Sequence, residues 1–204
     1  MVRRSEQGDT IIEMVMAFAV FSFAVILTTS IMNKGIAISQ QSLEVSQVRQ
    51  QIDSQAEIIR YIHATNNPAW QQLVGSNSVM GDADDKITTS VMPLNSSSCP
   101  TSSDLTSGSR RGFIVAPSAS LADVFLVRDA NATVYANSTT IAKVIYPSGA
   151  IVNPRSEGLW VQIAEAEDQS GSARAYDVYI HGCWPTLAQS LPMTLGTIVR
   201  LYDR

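Results

Sequence analysis

Glu13 is the residue whose position most needs a chemical explanation. It is the only ionisable side chain between Thr10 and Asn33, and the uncharged residues 14–32 directly follow it. A carboxylate at the edge of a lipid-compatible stretch is costly unless a cation pairs with it, and by default it suggests a functional site. The sequence therefore predicts an ion pair for Glu13. The alternative is an interfacial carboxylate that reaches to the membrane surface.

The two cysteines are the next residues able to do chemistry. Cys99 and Cys183 are the only cysteines of the chain. In an exported domain, two such residues favour a disulfide over free thiols. No CxxC motif or His/Cys cluster accompanies them, so the sequence predicts no metal site and no cofactor.

The two histidines give little support for catalysis. His63 follows the end of a predicted helix, and His181 ends a predicted strand with its side chain expected to point outward. No GxSxG motif is present, and a serine near a histidine and an aspartate is uninformative in a Ser-rich chain. We expect surface or structural histidines, no catalytic residues and no enzyme activity.

The acidic residues 82–85 resemble part of a calcium-binding loop. Lys86, however, stands where such a loop needs a ligand, and the glycine of the loop is missing. A solvated acidic turn is therefore the preferred interpretation.

Composition excludes two classes of protein. The chain has 204 residues, of which 45% are hydrophobic and 16% charged, so it is not disordered and it can form a core. The formal net charge is −4, and beyond Arg3 and Arg4 near the N-terminus the only adjacent basic residues are the isolated pair Arg110 and Arg111. This balance argues against a nucleic-acid partner.

The uncharged residues 14–32 are long enough to span a membrane. As a helix they extend roughly 28 Å, close to the hydrocarbon core of about 30 Å. Arg3 and Arg4 precede them, so the positive-inside rule predicts a cytoplasmic N-terminus and export of the rest of the chain. No second such stretch occurs, which predicts a single pass. The alternative is a secretory signal cleaved near residues 28–30, but Glu13 then lies inside its apolar region.

An amphipathic pattern continues the helix beyond this span. Apolar residues recur at spacings of seven, three and four and define one face of a helix. They are Ile38, Val45, Val48, Ile52, Ala56, Ile59 and Ile62. No proline occurs before Pro68, so we predict one helix over residues 10–61, ended by Asn66, Asn67 and Pro68. A short helix over residues 69–73 is expected next.

Residues 75–112 are predicted to be mainly loop. From Gly112 onward the sequence is typical of strands. The predicted strands cover residues 113–115, 124–127, 132–136, 141–146, 159–164, 176–181 and 197–202. Residues 159–164 and 176–181 are expected to form a hairpin, with Tyr176, Val178 and Ile180 on one face. Trp70, Trp160 and Trp184 are expected in the core or at the edge of the sheet.

The predicted fold class is α+β. A sheet has to bury one face, and the amphipathic second half of the long helix offers an apolar face of suitable length. We expect a lollipop-shaped molecule, that is, a helical stalk whose amphipathic half packs on an antiparallel sheet. The predicted organisation is a leader (residues 1–8), a helical stalk (9–65) with its membrane segment at about 14–32, and an extracytoplasmic β-rich head (66–204).

The residues before the span resemble the class III signal of type IV prepilins and pseudopilins. Arg3 and Arg4 lie in a short basic leader, Gly8 follows, and Glu13 heads the apolar helix. The resemblance implies that a prepilin peptidase cleaves between Gly8 and Asp9 and methylates the new amino group of Asp9. Glu13 is then the fifth residue of the mature chain. The resemblance also implies the pilin-like combination of a long helix and a β-sheet.

The resemblance supplies a partner for Glu13. Cleavage creates an ammonium group at Asp9, about one helical turn from Glu13, and in a bundle the ammonium of one subunit can pair with Glu13 of its neighbour. The implied partners are prepilin peptidase, other pilin subunits, an inner-membrane assembly platform and, before assembly, membrane lipid. Filaments of this family serve surface attachment, motility, secretion or DNA uptake.

Two other functions stay open from the sequence. One is a membrane-tethered extracytoplasmic domain that binds a ligand or an adhesion partner and does not polymerise. The other is a tethered enzyme, for which the residues give almost no support. Cleavage after Gly8 separates the filament subunit from both.

Overall fold

The computed structural model describes residues 9–75, 86–94, 97–107, 109–117, 125–146, 153–166, 174–186 and 190–202. The chain divides into two compact units, Met1–Ser42 and Leu43–Arg204. We call these the N-terminal unit and the C-terminal unit.

Helix α1 spans Asp9–Ala64, which confirms the single long helix expected over residues 10–61. No proline interrupts it, so the backbone ladder can run through its whole length. It ends because Asn66 adopts a left-handed backbone conformation with φ of 48°. The amide of Asn67 then donates to the carbonyl of Ile62 at 2.9 Å, which satisfies one of the open carbonyls of the last turn.

Two short helices follow. Helix α2 spans Pro68–Val74, close to the expected residues 69–73. Asn67 caps it by accepting a hydrogen bond from the amide of Ala69 at 2.9 Å. Helix α3 spans Ser102–Thr106 and lies in the stretch expected to be mainly loop. Thr101 and Asp104 form a capping box at its start, and this local signal was missed in the sequence.

Within the described residues of the C-terminal unit, eight strands form two sheets. Their bounds are β1 Phe113–Pro117, β2 Phe125–Asp129, β3 Tyr135–Ala136, β4 Lys143–Ile145, β5 Arg155–Glu157, β6 Leu159–Ala166, β7 Ala175–Trp184 and β8 Met193–Tyr202. The main sheet has the order β2-β1-β6-β7-β8, with every neighbouring pair antiparallel. The small sheet has the order β3-β5-β4, with β3 and β5 parallel. The hairpin expected between β6 and β7 is confirmed.

Strands β3, β5 and β8 differ clearly from the predictions, whereas the bounds of the other strands shift by at most three residues. Strand β3 is shorter than residues 132–136, because the side chain of Asn131 accepts hydrogen bonds from the amides of Thr133 and Val134 and holds that stretch as a turn. Strand β5 was not predicted, since its sequence Arg-Ser-Glu carries no β-branched or aromatic residue. Strand β8 begins four residues earlier than expected, at Met193, which pairs with Trp184 of β7.

The core of the C-terminal unit lies between the end of α1 and the main sheet. We call the apolar face of α1 that was predicted from Ile38 to Ile62 the apolar stripe. Most of it is buried there as expected, through Val48, Ile52, Ala56, Ile59 and Ile62. From the sheet, Tyr176, Val178 and Ile180 are buried on the facing side. Fully burying one such aliphatic side chain contributes about 1.5–3 kcal/mol, so this stripe provides much of the driving force for packing.

Ile38 is an exception to the predicted stripe. Its side chain is 68% exposed, whereas Val45 is the first residue of the stripe that packs against the core. The helical period therefore identified the correct face of α1 but not the point at which that face begins to be covered.

The main sheet opens between β1 and β6. These strands are paired only at Phe113 and Val161. Farther along β6, the carbonyl of Ile163 instead accepts a hydrogen bond of 2.7 Å from the amide of Thr88, and Ile87 forms a parallel bridge with Ile163. On the side that faces the opening, the backbone groups of β1 beyond Phe113 therefore have no partner from β6.

Candidate assembly site

Glu13 lies in the first turns of α1 and is exposed to solvent. The adjacent Ile11 and Ile12 are 68% and 67% exposed. Asp9 is the first residue of α1, so it precedes Glu13 by one turn, or about 6 Å along the helix axis. Gly8, the residue before the predicted cleavage point, lies outside the described residues.

Residues 14–32 of α1, which we call the apolar segment, present apolar side chains on every side of the helix. Consecutive residues are exposed, with exposed fractions between 46% and 70%. They are Met14, Val15, Met16, Phe18, Val20, Phe21, Phe23, Val25, Ile26, Leu27, Ile31 and Met32. A helix that is apolar all round needs a protein core, a membrane or other helices around it.

The hydroxyl groups of the two threonines in the apolar segment are satisfied by the helix itself. Thr28 donates to the carbonyl of Ala24 at 2.7 Å, and Thr29 donates to the carbonyl of Val25 at 2.7 Å. A lipid environment requires such internal partners, because it offers no water to hydrogen-bond polar groups. These two threonines are therefore compatible with an apolar environment.

One helix of the described chain is long and apolar enough to cross a membrane, with a mean hydropathy of 2.4 over its apolar window. Length and composition alone set this criterion, and a signal sequence or the core helix of a soluble protein also meets it. None of that window is buried against the rest of the described chain. The apolar segment is thus a candidate single membrane span near the N-terminus.

The disulfide predicted between Cys99 and Cys183 is confirmed. The two sulfur atoms are 2.05 Å apart, the Cα atoms are 5.5 Å apart, and the bridge closes a separation of 84 residues. Cys183 is fully buried in β7, whereas Cys99 lies outside the helices and strands. The bridge therefore attaches an irregular segment to the main sheet.

The side chain of His181 was expected to point outward, and this prediction is wrong. It is only 5% exposed and packs edge-on against Trp160 of β6, with 5.3 Å between the ring centroids. Met92 and Leu94 pack against the cluster that contains Trp160, so the irregular segment before Cys99 covers this face of the sheet. Alternation along β7 could not show that both of its faces are covered.

Burial also sets the charge of His181. Loss of solvation lowers its pKa to about 4, and its Nδ1 atom has no hydrogen-bond partner within the described parts of the chain. The imidazole is therefore neutral near pH 7. His63 lies on α1 and packs edge-on against Trp70 at 4.8 Å, so the two histidines have different neighbours.

The remaining sequence predictions concern metals and aromatic residues. In the described part of the chain, no group of three or more His, Cys, Asp or Glu residues is placed to hold a metal ion. The acidic residues 82–85 lie outside the described residues. Trp70, Trp160 and Trp184 are all buried, which confirms their placement in the core.

The sequence did not indicate which polar residues of α1 contact the sheets. The carboxylate of Glu44 accepts a hydrogen bond from the indole of Trp184 at 3.2 Å. The side chain of Gln51 accepts one from the amide of Val144 at 3.3 Å. Both residues border the apolar stripe, but sequence periodicity cannot show which border residues find a polar partner.

The structure brings Cys99 and Cys183 together and leaves Glu13 exposed at the start of the apolar segment. Comparison with family models, with curated proteins and with solved structures finds no match to this chain.

Proposed function

We propose that the chain is a type IV pilin-like subunit that assembles into a filament through α1. A prepilin peptidase cleaves it between Gly8 and Asp9 and methylates the amino group of Asp9. The subunit is a major pilin, a minor pilin or a pseudopilin, and the filament serves attachment, motility, secretion or DNA uptake. It has no catalytic role in this proposal.

The observation that carries the proposal is the position of Glu13. It is an exposed carboxylate at the start of a helix segment whose apolar side chains are exposed on all sides. A soluble protein does not leave such a segment uncovered, and a simple membrane anchor has no need of a carboxylate there. A filament accounts for both features, because it buries the apolar side chains and supplies a cation for Glu13.

The cation in this proposal is the ammonium group that cleavage creates at Asp9. Asp9 and Glu13 are one turn apart in α1, so a neighbouring subunit displaced along the filament axis can place its ammonium against Glu13. Two charges that are each costly in an apolar environment then neutralise each other. The apolar segments pack side by side, and Ala17, Ala19 and Ala24 allow close approach.

A staggered contact of this kind is head-to-tail and need not close into a ring, so it generates an open helical filament. The partners are other subunits of the filament, the prepilin peptidase and an inner-membrane assembly platform. Before assembly, the apolar segment lies in membrane lipid with the N-terminus cytoplasmic and the C-terminal unit outside. After assembly the subunit is part of a cell-surface filament.

The intact mass of the protein extracted from membranes tests the proposal. A chain that begins at Asp9 and carries one added methyl group is the expected result. Gly8→Leu should block cleavage, because it adds bulk beside the scissile bond. Gln7→Leu is the matched control and should be processed normally.

Two outcomes would contradict the proposal. A mature chain that begins near Ile31 would identify conventional signal peptidase and remove the assembly helix. An uncleaved N-terminus would favour a tethered domain that binds a ligand or an adhesion partner without polymerising.

A further inference from the structure

We propose that the edge strand β8 pairs with β8 of a second copy of the chain and so joins two main sheets into one. Strand β8 is last in the order β2-β1-β6-β7-β8, so within the described residues it has a strand partner on one side only. All ten of its residues, Met193–Tyr202, pair with β7 in one unbroken register. The strand belongs to the C-terminal unit, so the proposal does not depend on filament assembly.

Alternate residues of β8 direct their backbone groups away from β7. The carbonyl of Ile163 in β6 accepts from Thr88, so the backbone groups of Ile163 face away from β7, and those of its partner Val178 face β8. Val178 pairs with Val199, which is therefore bonded to β7, and the hydrogen-bonding direction alternates along a strand. The residues whose amide and carbonyl groups face the open edge are Thr194, Gly196, Ile198, Arg200 and Tyr202.

The open edge of β8 lacks features that usually prevent edge strands from pairing. Proteins protect edge strands with prolines, lysines, bulges or a very short length, and β8 has none of these. Its single charged residue is Arg200, whose guanidinium makes two hydrogen bonds of 2.7 Å with the carboxylate of Asp177 in β7. The charge is thus compensated and drawn toward β7, while Ile198 and Tyr202 are 60% and 61% exposed.

One antiparallel register of two β8 strands uses all of these outward backbone groups. When Ile198 lies opposite Ile198 of the second copy, Gly196 lies opposite Arg200 and Thr194 lies opposite Tyr202. The five outward residues of each strand then form hydrogen-bonded pairs, and their amides and carbonyls make ten hydrogen bonds between the copies. An extended strand added to an open sheet edge gains its affinity from such main-chain hydrogen bonds.

The side chains favour the same register. On the outer face, each Arg200 meets Gly196 of the other copy, so neither arginine lies opposite a like charge. On the face toward α1, Leu195 lies opposite Leu201, and both already pack against the core of their own chain. The edge is therefore complementary to itself, which is what an isologous contact between two copies requires.

Neighbouring registers form fewer hydrogen bonds or bring like charges together. A register centred on Thr197 places Tyr202 opposite Pro192, which has no amide hydrogen. Registers centred beyond Ile198 leave the first residues of β8 unpaired, and one centred on Arg200 also sets two like charges opposite each other. The second copy is therefore expected in the register centred on Ile198.

Disulfide trapping in the full-length protein in detergent micelles tests this register. Ile198→Cys should cross-link two copies, because the Cα atoms of a hydrogen-bonded antiparallel pair lie about 5.5 Å apart, within the roughly 4.4–6.8 Å that a disulfide spans. Thr194→Cys and Tyr202→Cys should cross-link only when the two variants are mixed. Leu191→Cys is the control, since Leu191 is 59% exposed but precedes β8.

Charged substitutions at the centre of the register test association without a covalent bond. Sedimentation of the full-length protein in micelles measures the dimer. Ile198→Lys and Ile198→Glu should each raise the dissociation constant at least about tenfold, because like charges then lie directly opposite each other. An equimolar mixture of these two variants should restore the dimer, and Leu191→Lys should behave like the parent.

Any of three results would overturn the proposal. Cross-linking of Ile198→Cys no faster than that of Leu191→Cys would show that the β8 edges do not meet. Cross-linking of Thr194→Cys with itself as readily as with Tyr202→Cys would exclude the register. An unchanged dimer in Ile198→Lys would place the contact on another surface, such as α1. None of these measurements involves cleavage after Gly8, so this proposal and the filament proposal can fail separately.

Discussion

The side chain of Gln55 takes the place of a strand beside Val115. Its Nε2 atom donates to the carbonyl of Val115 at 2.8 Å, and its Oε1 atom accepts from the amide of the same residue at 3.1 Å. Val115 lies in β1 where the sheet opens, two residues beyond the single pair that joins β1 to β6. One glutamine of α1 thus satisfies both backbone groups that the absent strand partner would have satisfied.

Gln55→Leu should reduce the free energy of unfolding by about 2–4 kcal/mol, because it leaves a buried amide and a buried carbonyl without partners. Gln55 is only 2% exposed, so water cannot replace it without rearrangement. Denaturant titration of the full-length protein in detergent measures the change. The control is Gln50→Leu, since Gln50 is exposed on α1. A loss no larger for Gln55→Leu than for the control would show that the bond pair adds nothing to stability.

The C-terminal unit should lose stability as the pH falls from about 6.5 to 4. Burial lowers the pKa of His181 to about 4, whereas an unfolded histidine has a pKa near 6.5. Between these values the unfolded chain binds more protons than the folded one, so stability rises with pH across that window. The full effect is on the order of 3 kcal/mol.

His181→Phe should flatten the pH dependence of stability between pH 6.5 and 4.5, whereas His63→Phe should retain it. Denaturant midpoints measured at several pH values compare the two variants. Hydrogen bonds from Thr101 and Arg200 hold the pKa values of Asp104 and Asp177 below the usual range. The stability that these two carboxylates contribute is therefore lost at lower pH than the stability linked to His181. An equal slope in the parent and in His181→Phe would refute the assignment.

Reduction of the disulfide should destabilise the C-terminal unit strongly. Loop-closure entropy for a separation of 84 residues corresponds to about 4–5 kcal/mol, which is an upper value because reduced chains retain some structure. The double variant Cys99→Ala/Cys183→Ala should show the same loss of stability. Alanine is chosen because serine would also bury a hydroxyl group. Non-reducing peptide mapping provides the direct check, and two free thiols in the exported protein would contradict the bridge.

Glu13→Ala should keep expression, membrane insertion and cleavage after Gly8, because residues 14–32 are sufficient for insertion. Incorporation into filaments should be lost, since an unpaired ammonium in an apolar environment costs several kcal/mol. Glu13→Asp should be intermediate, because its shorter side chain keeps the charge but weakens the contact. The ratio of sheared to membrane-held protein measures assembly.

Asp9→Ala is the companion variant for Glu13. The carboxylate of Asp9 adjoins the ammonium that the proposal pairs with Glu13, so its removal should make assembly depend more strongly on Glu13. Normal assembly of Glu13→Ala, alone or combined with Asp9→Ala, would leave Glu13 as an interfacial charge.

Regular patterns in the sequence were sufficient to predict most of the fold. Val48, Ile52 and Ile59 recur at the helical period, so they identified the face of α1 that packs on the sheet. Residues 159–164 and 176–181 alternate over enough positions to reveal the β6–β7 hairpin. The disulfide followed from the cysteine count once export had been inferred.

The remaining features depend on contacts distant in sequence. Burial of His181 requires a segment about ninety residues earlier to cover β7, and the role of Gln55 requires a gap in a sheet that only the folded chain contains. Lys86, Arg110 and Asp129 line one cleft but come from three separate segments of the chain, so the sequence could not show that they lie together. Local periodicity in the sequence cannot indicate such long-range contacts.

The Cys99–Cys183 bridge also determines how the chain responds to mechanical load. A force applied between α1 and the C-terminal residues passes through the sulfur atoms, and the 84-residue separation that they close is shielded from tension. Fully extended, that stretch would measure about 280 Å. Pulling the oxidised protein apart should therefore release about 280 Å less contour length than pulling the reduced one. The bridge thus acts as a limit on extension, and β1 to β7 can lose their packing without the chain between the cysteines being drawn out.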